Sequence, residues 1–397
     1  DIDRFKQIND VHGHASGDHF LRSVAAALRS VVRGSDLVGR LSGDEFVVVT
    51  CTHRVQDAEK LAHRIIDQIS RPLILSGKLV SYSPSVGIAY AQAHDTAESL
   101  IENADMAMYR AKDQGRGCYA SYDSSMRELA RSRAASETEL RRAVRQGQIV
   151  PMFQPIVSTD GARVVGFEAL ARWRHPVRGL LAPADFVAVA EDTGLILDID
   201  RLILESACDT LGSWKRCYPH LALRLSVNVS ARSFMDPRLT DRVSAAIAAA
   251  DLRAEDLYLE ITETMLVEDI GATTMVVDQL KQLGIRLAID DFGTGYSSML
   301  YLKRFPVGIL KIDRSFTDGL GQDLEDEVIV KAVIGMAHSL GIDLVAEGVE
   351  TEAQMRMLQE LGCQFMQGYR FGRPMDAAQA EVLLQAMETL PQSAQLA

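Results

Sequence analysis

The stretch LALRLSVNVS, Leu221 to Ser230, alternates apolar and polar residues almost from end to end. That is the period of a β-strand, whose successive side chains point to opposite faces. Leu221, Leu223, Leu225, Val227 and Val229 fall on one face, suited to packing under helices. Arg224, Ser226 and Asn228 fall on the other, which in a closed barrel points inward. Asn228 then stands at the C-terminal end of its strand.

The same grammar recurs through the second part of the chain. VVGFEAL carries Glu168, LYLEITE carries Glu260, and IRLAIDDFG ends in Asp290 and Asp291. VGILKID carries Lys311 and Asp313, IDLVAEGVE carries Glu347, and CQFMQGY carries Gln367. Helical patterns separate these runs. A repeated strand and helix closing into an α/β, TIM-like barrel gathers the C-terminal strand ends at one mouth. A lone acidic strand end is ordinarily solvated or caps the next helix. Six or seven in succession make that plain reading a poor one.

The converging set offers oxygen donors with no His or Cys, which suits Mg²⁺ or Mn²⁺ better than zinc. Two adjacent carboxylates, Asp290 and Asp291, can bridge two ions, and two ions suit in-line displacement at phosphorus. Lys311 can orient a water or offset developing charge. Arg172, in EALARW, can fork onto a phosphate oxygen. The residues alone therefore point to metal-dependent phosphoester hydrolysis.

Toward the N-terminus the pattern changes. Helical runs such as DHFLRSVAAALRSVV and DAEKLAHRIIDQIS alternate with short strands, LVGRLS, EFVVV and SPSVGIAY, which predicts an α+β sandwich over residues 1–122. Within it RLSGDEFVVV, Arg40 to Val49, sets a Ser-Gly turn and two carboxylates between two apolar runs. Residues 123–147, rich in Ala, Arg and Glu, predict an exposed connecting helix, and the barrel is expected over 148–392. The 397 residues carry a net charge of −12, which repels extended nucleic acid. Five scattered cysteines without a CxxC pair suit a reducing, cytoplasmic setting. No run of about twenty apolar residues predicts a membrane span. His12, His14 and His19 cluster without acidic partners at ligand spacing and read as loop and helix-start residues.

FEALARWRHP, SVNVSARSF, LEITETML, AIDDFGTGYSS, LKIDRSF, VAEGVET and MQGYRFGRP, in that order, resemble an EAL-domain cyclic di-GMP phosphodiesterase. DIDRFKQIND, GHASGDHFL, SGDEF and AKDQGRG resemble a GGDEF diguanylate cyclase domain, so the chain is similar to the tandem GGDEF–EAL proteins. The resemblance implies opening of cyclic di-GMP to linear pGpG with Mg²⁺ or Mn²⁺. Glu168, Asn228, Glu260, Asp290 and Glu347 would be metal ligands, with Asp291 in the pair and Gln367 completing the ring. Lys311 would sit beside the nucleophilic water, Arg172 and Gln154 would meet substrate, and Glu263 would brace the DDFGTGYSS loop, which in this family couples dimerisation to metal binding. In the GGDEF half, Asp1, the Ile2 carbonyl and Asp44 would hold metal, and Glu45 would help activate a 3′-hydroxyl. Asn9 and Asp18 would read guanine, Lys112 and Arg116 would meet the triphosphate, and Arg33 with Asp36 would form a product-inhibition site. Ser42 stands where the family usually has glycine. If that position requires positive φ, serine adds strain of order 1 kcal/mol. The expectation is a homodimeric phosphodiesterase whose degenerate SGDEF half binds GTP as a regulator. The alternatives are a bifunctional enzyme and a silent cyclic di-GMP receptor. Because the family places a strand before Asp1, the chain is expected to be a fragment lacking that first strand.

Overall fold

The computed structural model describes residues 1–3, 5–52, 54–75, 78–160, 163–265, 270–293, 302 and 305–388. The chain divides into two compact units, Asp1–Ala135 and Ser136–Ala397.

The first unit contains β1 (Leu37–Ser42) and β2 (Glu45–Val49), an antiparallel hairpin. β3 (Leu73–Leu75) and β4 (Lys78–Val80) form a second hairpin, and β5 (Val86–Ile88) runs parallel to β6 (Tyr119–Ser121). Ile2 bridges antiparallel to Pro84. Helices His14–Val31 and Val55–Ile69 place Phe20, Leu21, Val24, Leu28, Ile65 and Ile69 in one apolar cluster with Ile2 and Leu75. Fully burying side chains of this size contributes roughly 1.5–3 kcal/mol each.

The second unit is the barrel. Its strands are β7 (Ile149–Ser158), β8 (Val164–His175), β10 (Arg224–Asn228), β11 (Leu257–Thr262), β12 (Arg286–Phe292), β13 (Val307–Ile312), β14 (Asp343–Ala346) and β15 (Phe365–Gln367). The short β9 (Gly179–Leu181) pairs only with the outer end of β8. Parallel pairing runs from β8 through β10 to β15, and β7 closes the ring antiparallel to both β15 and β8. The repeated parallel rhythm therefore fails at β7. Only residues 159–163 separate it from β8, and a connection so short can join antiparallel strands but not parallel ones.

The alternation in LALRLSVNVS holds where it matters. Leu225 and Val227 are buried in the layer under the helices, Ser226 is buried on the inner side, and Arg224 and Asn228 are exposed at opposite strand ends. A smaller inner cluster, with Tyr258, Ala288, Ile309 and Val345, fills the barrel. Helix Ser124–Arg145 spans the division between the units and is not exposed throughout. Leu140 and Ala143, three residues apart and so on one helical face, are fully buried, as is Met126 near its start. Among the described residues no helix is long and apolar enough to cross a membrane.

Candidate functional site

Seven parallel strands deliver the polar side chains to one end of the barrel. Each strand is apolar enough to be buried in the wall, and the register sets the heights: Glu168 lies opposite Ser226 and Gln154, Asn228 opposite Glu260, and Lys311 opposite Val345. Glu347 follows directly on the end of β14.

At the centre stands Lys311, 1% exposed. Its Nζ lies 2.5 Å from Glu347 Oε1, 2.9 Å from Glu260 Oε2, 3.2 Å from Glu168 Oε2 and 3.2 Å from Asp290 Oδ1. Asn228 Nδ2 donates to Glu168 Oε1 at 2.7 Å, and Gln367 Nε2 donates to Glu168 Oε2 at 2.6 Å and to Gln154 Oε1 at 3.1 Å. Gln154 in turn donates to the Gly372 carbonyl. One ammonium faces four carboxylates, so the cage carries excess negative charge in a place where charge is poorly solvated.

Titration follows from that imbalance. Burial pushes Glu168 up, but the Lys311 ammonium and the hydrogen bonds from Gln367 and Asn228 outweigh it and hold the group below its ordinary range. Burial and the Glu168 charge push Glu260 well up, and burial raises Glu347 to about 8. Burial disfavours the Lys311 ammonium, yet the surrounding carboxylates raise it well above its usual value. Burial and the neighbouring Asp290 and Asp313 raise Asp291, whose backbone has a left-handed φ of 53°.

Glu260 Oε1 and Gln367 Oε1 are buried with no hydrogen-bond partner among the described residues. Orphaned buried oxygens beside surplus carboxylates fit a hard cation by chemistry. As the side chains stand, no group of three or more His, Cys, Asp or Glu among the described residues is disposed to hold one. Glu263 is buried, and its Oε2 accepts the Gly293 N–H at 3.2 Å. The rest of the DDFGTGYSS loop lies outside the described residues. Arg172 is half-buried, and its Nη1 donates to its neighbour's carbonyl, Ala171, at 2.8 Å.

The residues singled out in the first unit make mostly local contacts. Ser42 Oγ donates to Glu45 Oε2 at 2.7 Å, and Arg40 donates twice to the Gly43 carbonyl. Positive φ falls on Gly43 at 43° and not on Ser42, so the strain anticipated at the serine does not arise. Asp44 is half-buried, and Lys112 Nζ lies 2.7 Å from Asp1 Oδ1. Arg116, itself at a φ of 65°, lies 4.0 Å from Asp3. Gly17 packs against the Asn9 carboxamide with no room for a Cβ, and Asp18 beside it is exposed. Asp36 accepts from the Arg33 N–H at 2.7 Å and from Thr50 at 2.9 Å, bonds that hold its carboxyl below the usual range.

Asp313, read from the sequence as a polar strand end beside Lys311, follows β13, caps helix Arg314–Asp318 and faces Asp291. One residue of the first unit escaped the sequence reading. Asp3 is buried and accepts from Ser83, Ser85 and the Gly117 N–H, tying the N-terminal segment of the first unit together.

Residues 137–374 match the EAL domain family, and residues 1–118 match the family described as diguanylate cyclase, GGDEF domain. The chain is 42% identical over 380 residues to the bifunctional diguanylate cyclase/cyclic di-GMP phosphodiesterase MucR of Pseudomonas aeruginosa, covering 96% of this chain and 55% of MucR. It is 40% identical over 387 residues to the cyclic di-GMP phosphodiesterase NbdA of the same organism, covering 97% of this chain and 49% of NbdA. The chain thus spans about half the length of the curated relatives it matches. Among solved structures, the MucR phosphodiesterase in complex with c-di-GMP aligns at a TM-score of 0.60 with 42% identity, covering 62% of this chain and 99% of that one. An EAL domain protein from Listeria monocytogenes aligns at 0.55 with 28% identity, covering 64% of this chain and 98% of its own.

Proposed function

This chain belongs to the tandem GGDEF–EAL family, and from that premise we propose that its barrel hydrolyses cyclic di-GMP to linear pGpG while its SGDEF unit binds GTP and regulates the rate. The observation that carries the reading is the cage of oxygen donors, drawn from separate strands around Lys311. Glu168, Asn228, Glu260, Asp290 and Glu347 would hold Mg²⁺ or Mn²⁺, with Asp291 serving a second ion and Gln367 completing the ring. When bound, such ions supply Lewis acidity at phosphorus and an acidified water.

The remaining work falls to the chain. Lys311 offsets charge that grows on the oxygens at phosphorus, and Arg172 and Gln154 orient the diester. Glu263 fixes the backbone at Gly293 and so holds Asp290 and Asp291 in place. Lys311, helped by the hydrogen bonds from Gln367 and Asn228, keeps Glu168 ionised, ready to face a cation.

In the first unit, Asn9 and Asp18 would read guanine, Lys112 and Arg116 would meet the triphosphate, and Asp1 and Asp44 would hold its metal ion beside Glu45. Arg33 and Asp36 would form the product site. The functional form would be a homodimer in the cytoplasm, where the five unpaired cysteines stay reduced. Chromatography of three reactions tests the reading: cyclic di-GMP alone, cyclic di-GMP with GTP, and GTP alone, each with Mg²⁺ or Mn²⁺. The expected result is pGpG in the first and faster pGpG in the second, the acceleration being lost in Asp44→Ala. No pGpG in either overturns the phosphodiesterase and leaves a receptor. Cyclic di-GMP formed from GTP alone makes the protein bifunctional.

A further inference from the structure

One carboxylate outside the cage stands where an apolar side chain belongs. Helix Ile196–Cys217 packs against β7, β8 and β10 and buries Ile196, Ile199, Ile203, Leu204 and Ala207 in the core. Asp200 follows Ile196 by four residues and precedes Ile203 and Leu204 by three and four, so it lies on that same stripe. Burial raises its carboxyl in spite of the Ser230 hydrogen bonds and the nearby Arg242 charge. A carboxylate in such a place opposes folding unless its bonds compensate.

Those bonds lead to the barrel mouth. A single oxygen, Asp200 Oδ2, accepts the Ser230 N–H at 3.0 Å and the Ser230 Oγ–H at 2.6 Å. The same Oγ accepts the Ser233 N–H at 3.2 Å and caps helix Ala231–Phe234. Capping alone explains the serine, but it does not call for a carboxylate in an apolar stripe. Ser230 stands two residues beyond Asn228, where β10 ends, and between them the Val229 N–H donates to the Glu260 carbonyl at 2.9 Å. Asn228 Nδ2 in turn donates to Glu168 Oε1 at 2.7 Å. A continuous path of contacts runs from the outer helix through Ser230 to the cage.

We propose that Asp200 is a positioning residue for the barrel site: by gripping Ser230 at both its N–H and its hydroxyl, it fixes the end of β10 so that the Asn228 carboxamide meets Glu168. This deepens the phosphodiesterase reading and rests on it. Groups that orient metal-facing side chains without touching the ion typically change affinity or turnover by about 10- to 100-fold when removed.

The test compares the full chain with Asp200→Ala, Asp200→Asn and Asp200→Leu, and repeats Asp200→Ala in an Asn228→Ala background. Calorimetry gives the Kd for Mn²⁺, chromatography of pGpG gives kcat and KM for cyclic di-GMP, and thermal melting gives stability. Asp200→Ala is expected to lower kcat and to weaken Mn²⁺ binding about tenfold each, with KM held within about twofold. Asp200→Asn keeps an oxygen for both Ser230 donors and should stay within about threefold of the native chain. In the Asn228→Ala background, Asp200→Ala should change kcat and Kd by less than about twofold, because its route to the cage is gone. Asp200→Leu continues the apolar stripe, so it should melt no lower than Asp200→Ala while losing as much activity, and it takes that variant's place if Asp200→Ala does not fold. Asp256→Asn is the control: it disturbs a buried carboxylate held by Lys215 and Arg253 at the opposite end of β11 from Glu260, and should lower the melting temperature while leaving kcat and the Mn²⁺ Kd unchanged.

An Asp200→Ala chain within about twofold of native in both kcat and Kd overturns the role, as does a loss of about tenfold that recurs in the Asn228→Ala background. An Asp200→Asn chain as weak as Asp200→Ala overturns it too. Native protein that binds Mn²⁺ but leaves cyclic di-GMP uncleaved overturns the phosphodiesterase reading alone, and the Mn²⁺ Kd ratios still decide the role of Asp200. Native protein that neither binds Mn²⁺ nor cleaves cyclic di-GMP overturns both.

Discussion

The barrel mouth and the SGDEF hairpin both set carboxylates beside a cation or a donor, on opposite terms. At the mouth, Glu168, Glu260, Asp290 and Glu347 come from four strands spread over nearly 180 residues and meet around one buried ammonium. At the hairpin, Glu45 is met by Ser42 three residues away, in a turn whose residues are exposed or half-buried. The local arrangement costs little, because water solvates whatever the turn leaves unpaired. The convergent one is expensive, because desolvating several like charges around a single cation opposes folding. Such a cluster persists when something beyond stability requires it, whereas the hairpin contacts would be stable with no function at all.

The comparison breaks first at Lys311. Lys311→Met leaves four carboxylates without their cation, and urea unfolding in EDTA should show the barrel destabilised by about 3–5 kcal/mol. An unchanged barrel transition would mean that the carboxylates neutralise one another by sharing protons. Glu168→Gln keeps the shape and removes one charge. Hydrolysis of cyclic di-GMP, followed by chromatography, should fall on the order of 10²–10³-fold while the fold is kept.

Within the barrel unit a local carboxylate supplies a control. Hydrogen bonds from the Arg238 side chain hold Asp236 down at about 2, against burial and with further help from Arg242. A carboxylate depressed in this way stabilises the fold above its ordinary value of 3.8, and the contribution disappears as the pH falls toward 2. Asp236→Asn should therefore lower the melting temperature by about 2–4 °C at pH 6, and the gap to wild type should close between pH 4 and pH 2. A gap that persists at pH 2 would show packing rather than charge. The smallest effect belongs to the hairpin. Ser42→Ala removes one exposed hydrogen bond and should shift stability by less than about 1 kcal/mol.

Legibility in sequence followed the same division. The strand ends could be read because each apolar run stops at a polar residue, and a barrel has one place to bring such ends together. The antiparallel β7 was concealed by the repeating pattern, although the five-residue link after Ser158 carried the information. The buried face of helix Ser124–Arg145 was hidden because two small patches, Leu140 with Ala143 and Met126, are diluted by arginine and glutamate. Periodicity cannot say that a lysine sits among four carboxylates, nor that Arg373 lies over Tyr369, since both depend on distances between elements far apart in the chain.

The antiparallel closure also bears on how the chain is made. Ser158 in β7 pairs with Phe365 in β15, so the ring cannot close until about 200 further residues have been synthesised, a delay on the order of 10–40 s at ribosomal rates. Through that interval the β7–β8 hairpin waits with one edge open, the kind of edge that invites mispairing with a neighbouring nascent chain. Pro151 and Pro155, unusual inside a sheet, remove amide donors from this strand and make its waiting edge a poorer template.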